Sequence, residues 1–271
     1  MRKMPTKLAL LGTGAIGSYV AEHVCSGAAG KWDVVGVFDH NPESAERVGQ
    51  MLGACVAHDV QHMLDLSPDV VLETATADAV RSYAKEVLDR GIDLIVLSSG
   101  ALLDERLLTE MKQLALRTGA MIYVPSGAIG GIDLVRAAAA SADSSIRIRT
   151  SKPPQGLADA PYVKNLDVNL DTQAVIFSGG VRDAIRGFPK NVNVAASLAL
   201  AAHDPECLRI EVEVCPDLQH NMHSITLESV FGSAEIIVRS RPMKNNPRSS
   251  LLAALSCIAL LKRLQQPLQV C

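Results

Sequence analysis

The sequence predicts an α/β protein: a Rossmann-type doubly wound parallel sheet plus a smaller α/β domain with a mixed sheet. Three observations carry this. A short apolar run from Lys7 ends abruptly in Gly12-Thr13-Gly14-Ala15-Ile16-Gly17 and continues with helical spacing at Ile16, Tyr19, Val20 and Val24. Strand-like and helix-like segments then alternate as far as Val124. Beyond a glycine-dense joint, apolar residues alternate with a period of two, as in a half-buried sheet.

Composition sets the limits. At 271 residues the chain exceeds ordinary single-domain size. With 48% hydrophobic but only 3% aromatic residues, the core must be built from Ala, Val, Leu and Ile. A net charge of −3 and no basic tail give no reason to expect a nucleic-acid or membrane partner. The basic start, Met1 to Lys7, superficially resembles a secretory leader, but glycines interrupt the apolar run behind it. A cytoplasmic protein is expected. The six cysteines show neither a Cys-x-x-Cys pair nor zinc-finger spacing, so no metal is expected, and they read as reduced small hydrophobes.

Taken in order, the first strand and its helix form a dinucleotide fingerprint. Gly12 permits the tight turn, Gly14 lets backbone approach a pyrophosphate, and Gly17 lets the helix pack closely on the sheet. The N–H groups of Ala15, Ile16 and Gly17 would face the phosphates. The next strand, Asp33 to Phe38, closes on Asp39, a carboxylate placed to bind the adenosine ribose. Helices follow at 43–52 and 60–66, the second capped by Asp59. A buried strand from Asp69 opens at Ala75-Thr76, candidate contacts for the nicotinamide half. A helix to Gly91, a strand 92–97, a helix 104–118 ended by Gly119 and a strand 120–124 complete the first domain.

The joint is Pro125-Ser126-Gly127-Ala128-Ile129-Gly130-Gly131-Ile132-Asp133, leading into a helix at 134–142. Strands are expected at 145–151, 174–178, 208–215, 223–229 and 233–240, with one helix at 193–202 among them. An apolar helix starting near Leu251, capped by Ser249 or Ser250, is expected to pack between the domains. The boundaries are thus 1–125 completed by 245–271 for the dinucleotide domain, and 126–244 for the substrate and catalytic domain.

Three blocks together resemble the L-aspartate dehydrogenase family: the joint Pro125 to Asp133; Phe188-Pro189-Lys190-Asn191-Val192-Asn193-Val194-Ala195; and His223 with the tail Asn245-Asn246-Pro247 through Ser256. They span nearly the whole chain in consistent order. The resemblance implies a homodimer that converts L-aspartate, NAD(P)⁺ and water to oxaloacetate, ammonia and NAD(P)H through iminosuccinate. It makes His223 the active-site histidine, Asn193 a nicotinamide-side cofactor contact, and Ala128 a further cofactor contact, with Gly127 as the alternative equivalent.

That chemistry asks for a group titrating near neutrality, which a histidine supplies, and for cations to meet two carboxylates. Lys190 and Lys152 are the candidate cations, Ser126 a further substrate-side residue and Ser99 a cofactor-side one. Asp39 would repel the 2′-phosphate of NADP, so either nucleotide is expected to serve with NAD favoured, while Arg47 or His40 can soften the repulsion. Two other readings compete. One is a reductase of the homoserine dehydrogenase or dihydrodipicolinate reductase type, whose own substrate motif is not found in the second half. The other is a non-catalytic NAD(P)-sensing protein.

Overall fold

The computed structural model describes residues 4–141, 143–166, 168–188, 193–202, 207–244 and 246–268. The chain forms two units, one made of residues up to Gly127 with the stretch from Ala253 on, the other of Ala128–Leu252.

In the first unit, strand and helix alternate: β1 (Lys7–Leu11), α1 (Ala15–Cys25), β2 (Asp33–Phe38), α2 (Pro42–Leu52), β3 (Cys55–Val56), α3 (Val60–Asp65), β4 (Val70–Glu73), α4 (Ala77–Asp89), β5 (Asp93–Val96), α5 (Glu105–Thr118) and β6 (Ile122–Tyr123). The strands pair in parallel in the order β3-β2-β1-β4-β5-β6. This is the doubly wound sheet the alternation predicts. Its switch point lies between β1 and β4, where loops leave in opposite directions and open a crevice at the strands' C-terminal ends.

Local chemistry sets the boundaries. Asn41 caps α2 by accepting from the Ser44 N–H, Asp59 caps α3 through the His62 N–H, and Asp104 caps α5 through those of Arg106 and Leu107. Gly53 and Gly119 end α2 and α5 in the left-handed conformation. The buried side chains Leu8, Leu10, Val70, Leu72 and Ile95 form the sheet's core with α1, each contributing about 1.5–3 kcal/mol. Cys257, Ile258, Leu260 and Leu261 of a late helix, α10 (Leu251–Leu264), join the same core. Just beyond that helix, the Gln265 amide accepts from the Lys31 N–H and donates to the carbonyls of Lys31 and Pro5.

The second unit holds α6 (Ile132–Ala139), β7 (Ser145–Lys152), α7 (Pro161–Leu166), β8 (Ala174–Gly179), α8 (Val181–Gly187), α9 (Asn193–Ala202), β9 (Leu208–Val214), β10 (Met222–Ser229), β11 (Gly232–Arg239) and the small pair β12 (Pro242–Met243) and β13 (Asn246–Ser250). Its five-stranded sheet runs β11-β10-β7-β9-β8, mixed because β7 and β9 alone are parallel. Ile146, Ile148, Ile210, Val212, Ile225 and Leu227 point to one face, against which α6, α8 and α9 pack. The opposite face carries Arg147 and Arg149 paired to Glu211, Ser151 donating to Glu213, and a half-exposed Ile237.

The helices α7 and α8 and the pair β12–β13 were not expected from the sequence. Ser250 does bond the start of α10, accepting from the Leu252 N–H. Among the described cysteines only Cys257 is buried; Cys25 and Cys55 are exposed, so the reading of most of them as small core residues does not hold. No helix among the described residues is long and apolar enough to cross a membrane.

A Cβ on Gly12, whose φ is +100°, would lie 2.7 Å from the Ala75 backbone nitrogen, an atom of the main chain that cannot swing aside. Gly12→Ala is therefore expected to cost at least about 1–3 kcal/mol. Thermal unfolding should show a midpoint lowered by roughly 2–4 °C for each kcal/mol.

Candidate active site

The fingerprint turn is built as its glycines require. Gly14 is exposed, with open space where a Cβ would stand, and it precedes α1 without any side-chain cap. The first-turn N–H groups of Ala15, Ile16 and Gly17 therefore lack a side-chain acceptor, the arrangement that receives a pyrophosphate. Gly17 is tighter: a Cβ there would fall 2.1 Å from the Gly12 carbonyl oxygen. These features fit a dinucleotide.

Asp39 does more than end β2. Its Oδ2 accepts from the Thr13 N–H at 2.6 Å and the Thr13 hydroxyl at 3.2 Å, and its Oδ1 accepts from the Asn41 N–H. The Thr13 carbonyl in turn accepts from the hydroxyls of Ser18 and Ser44, and Arg47 donates to both of those. A carboxylate that already orients the glycine turn keeps one acceptor position on Oδ1 for a sugar hydroxyl. Arg47 brings a cation into the same cluster, whereas His40 is exposed and packs edge-on against Phe38.

At the ends of β4 and β5, Ala75 and Thr76 are exposed, while Ser99 is buried at the start of a 3₁₀ turn. The Thr76 hydroxyl caps α4 by accepting from the Ala79 N–H. Between these turns lies Glu73, a buried carboxylate that sequence reasoning passed over. Its signal was available: an acidic residue ending the otherwise apolar strand Val70-Val71-Leu72. A groove of about 570 Å³ lined by Pro5, Asp69, Arg90 and Ile92 lies at the opposite, N-terminal ends of the strands and is far from these loops.

In the second unit the register sets His223 opposite Thr150, on the helix-covered face and at the end of its apolar row. His223 is 4% exposed, and its Nδ1 shares a hydrogen bond of 3.0 Å with the Thr150 hydroxyl. With the proton on Nδ1, the imidazole donates to Thr150 and Nε2 keeps its lone pair. Lys152, two residues along β7, points to the same face. Burial, then the Lys152 charge, push His223 down to about 4. Burial pushes Lys152 down to about 8. At neutral pH the pair is thus a neutral imidazole beside a largely protonated amine, not the near-neutral titration expected of His223. His220 is exposed and precedes β10.

The remaining candidates are dispersed. Asn193 opens α9 and is exposed. Ser126 and Ala128 are half-buried, flanking Gly127, whose φ is +67° and whose N–H donates to the Ser256 hydroxyl. Lys190 lies outside the described residues.

Comparison with known proteins divides along the same line. Residues 12–125 match the family described as the NAD-binding domain of homoserine dehydrogenase, and residues 133–264 the one described as the C-terminal part of aspartate dehydrogenase. An L-aspartate dehydrogenase of Methanopyrus kandleri is 37% identical over 100% of this chain and 99% of its own. One from Methanosarcina barkeri is 40% identical over 74% of this chain and 76% of its own. Among solved structures, aspartate dehydrogenase from Thermotoga maritima superposes with a TM-score of 0.76 at 25% identity, covering 99% of this chain and 100% of that one.

The depressed pKa values carry a signature in stability. Above about pH 6.5 His223 is neutral whether folded or not; between about 6.5 and 4 only the unfolded chain takes up its proton. Folding stability should fall across that window by on the order of 3 kcal/mol, and urea titrations of His223→Gln should lose that slope. Lys152 acts at the alkaline end: from about pH 8 to 10.5 only the unfolded chain holds its proton, so the cost of burying the charge shrinks as pH rises across that window. Lys152→Met should accordingly be more thermostable than the wild type at neutral pH.

Proposed function

The chain belongs to the L-aspartate dehydrogenase family, and from that premise we propose how its residues divide the reversible, NAD(P)-dependent oxidative deamination of L-aspartate to oxaloacetate and ammonia. The observation that supports this division most directly is a buried imidazole and a half-buried lysine on one sheet face, within the half of the chain whose family match is to aspartate dehydrogenase. The homoserine dehydrogenase description attaches only to the nucleotide half, which such enzymes share.

Oxidation requires the substrate amine to be neutral before hydride leaves Cα. His223, neutral and holding its Nδ1 proton toward Thr150, offers Nε2 as the base that accepts the amine's proton, directly or through a water. Lys152 offers its positive charge to the substrate carboxylates, with Lys190 and Ser126 as further candidates. A bound dicarboxylate would offset the Lys152 charge that depresses His223, making the imidazole more basic when it is needed. In the second half-reaction the imidazole, its first proton passed to solvent, takes a proton from the water that adds to iminosuccinate and gives it to the departing ammonia. The nicotinamide cofactor, when bound, supplies the hydride acceptor. Gly12, Gly14, Ala15, Ile16, Gly17 and Asp39 would hold its adenosine and pyrophosphate, with Ala75, Thr76, Ser99, Ala128 and Asn193 at its nicotinamide end.

The enzyme is proposed to act in the cytoplasm as a homodimer. The open sheet face, with Arg147, Arg149, Glu211 and Ile237, offers the mixture of charge and apolar surface that a self-complementary interface uses.

His223→Ala is expected to lower kcat for L-aspartate by about 10²–10⁴-fold while NADH binding persists; undiminished turnover would remove His223 from the chemistry. Tight NADH binding with no turnover of aspartate, homoserine, malate or glutamate would favour a sensor. Asp39→Ala should weaken NAD more than NADP in fluorescence titrations, and unchanged selectivity would detach Asp39 from the ribose. Light scattering should give twice the chain mass.

A further inference from the structure

Glu73 ends β4 with its side chain 0% exposed. Its Oε1 accepts from the Ala75 N–H at 2.8 Å and the Ser98 hydroxyl at 2.7 Å; its Oε2 accepts from the N–H groups of Leu97 at 3.1 Å and Ser98 at 2.9 Å. The four acceptor positions of a carboxylate are thereby filled by donors from two separate turns, the one after β4 and the one after β5. Three of those donors are backbone N–H groups, which cannot reverse their role.

The turn after β4 is also pressed on the fingerprint. The Thr74 hydroxyl donates to the Gly12 carbonyl at 2.8 Å, and Ala75 occupies the space a Gly12 side chain would need. On α10, burial and the Glu73 charge together push the Cys257 thiol up to about 12, so the carboxylate's field reaches that helix as well. Burial raises the Glu73 pKa and the four hydrogen bonds oppose that rise. An ionisable group in such a place is costly, and a purely apolar strand end would pack without it. What the carboxylate provides is a fixed spacing between two turns, with both drawn toward one point.

We infer that Glu73 is a positioning residue that joins the Ala75–Thr76 and Ser98–Ser99 turns into a single rigid seat for the nicotinamide half of the dinucleotide. This rests on the assignment of those turns to the nicotinamide end proposed above. Glu73 touches neither cofactor nor substrate; it acts through the turns, and its effect is confined to the half of the ligand they meet. The adenosine and pyrophosphate half would be held by Gly14, Thr13 and Asp39, to which Glu73 makes no hydrogen bond; the β4 turn meets the fingerprint only through Thr74 and Ala75 at Gly12.

The test compares two ligands on the full chain, NADH and ADP-ribose, which differ by the nicotinamide. Wild type is expected to hold NADH more tightly. Glu73→Gln keeps the shape but turns an amide NH₂ toward N–H donors. It should weaken NADH by about tenfold or more while leaving ADP-ribose within about twofold, so that the two affinities converge. Ser98→Ala, which removes one donor and leaves the carboxylate, should give the same split at smaller size and stands in if the first variant does not fold. Glu73→Asp should recover part of the loss. Parallel weakening of both ligands would make Glu73 a general support of the fold and overturn the inference, as would no change in either. Equal wild-type affinity for both would show that these turns do not meet the nicotinamide. Failure of wild type to bind either would instead remove the dinucleotide reading itself.

Discussion

The first unit depends on how closely two stretches of main chain approach at the switch point of its sheet. Gly12 lies against the Ala75 backbone, and Gly17 lies against the Gly12 carbonyl and the Thr74 hydroxyl. No side chain fits in any of these gaps. The closeness sets the angle at which α1 leaves β1, and so directs its uncapped N–H groups into the crevice. Asp39 and the hydroxyls of Ser18 and Ser44 then fix Thr13 from both sides, through its donors and its carbonyl. The shape of the glycine turn is in this way a product of backbone packing, with side chains serving to hold Thr13 in place.

The second unit places polar groups where its sheet stops being apolar. The rows Ile146-Ile148 and Ile225-Leu227 are covered by helices, and the next positions along those rows are Thr150, Lys152 and His223. Burial that stabilises the isoleucines penalises charge a few ångströms further on. The same helices therefore hold the imidazole neutral and make the lysine easier to deprotonate. A stable core and the lowered basicity of these two groups have a common physical cause.

Much of this was legible in the sequence, and the reasons differ by residue. Strands β1, β2, β4 and β5 are near-continuous apolar runs because both faces are covered, and Gly12 and Gly17 stand where no other residue fits. Caps such as Asp59 act within three residues and can be read locally. Helices α7 and α8 span only six and seven residues, too few for a period to show. β13 contains Pro247, which argues against a strand in isolation but is tolerated in a two-stranded pair. The candidate site residues could be picked out by type, and the couplings between groups could not. Thr150 meets His223 across 73 positions and Glu73 gathers Ser98 across 25, and neither separation leaves a pattern in a single sequence.

The order of the elements bears on synthesis. α10 supplies Cys257, Ile258, Leu260 and Leu261 to a core whose other members are complete by Ile95, and Gln265 fastens the strand-to-strand edge near Pro5 and Lys31. On a ribosome emitting about 5–20 residues per second, that apolar face waits through the making of the entire intervening unit. The later-encoded sheet has all five strands by Arg239. The half of the chain begun first is thus finished last, and a nascent chain stalled before Leu251 would display an uncovered greasy flank to chaperones and proteases.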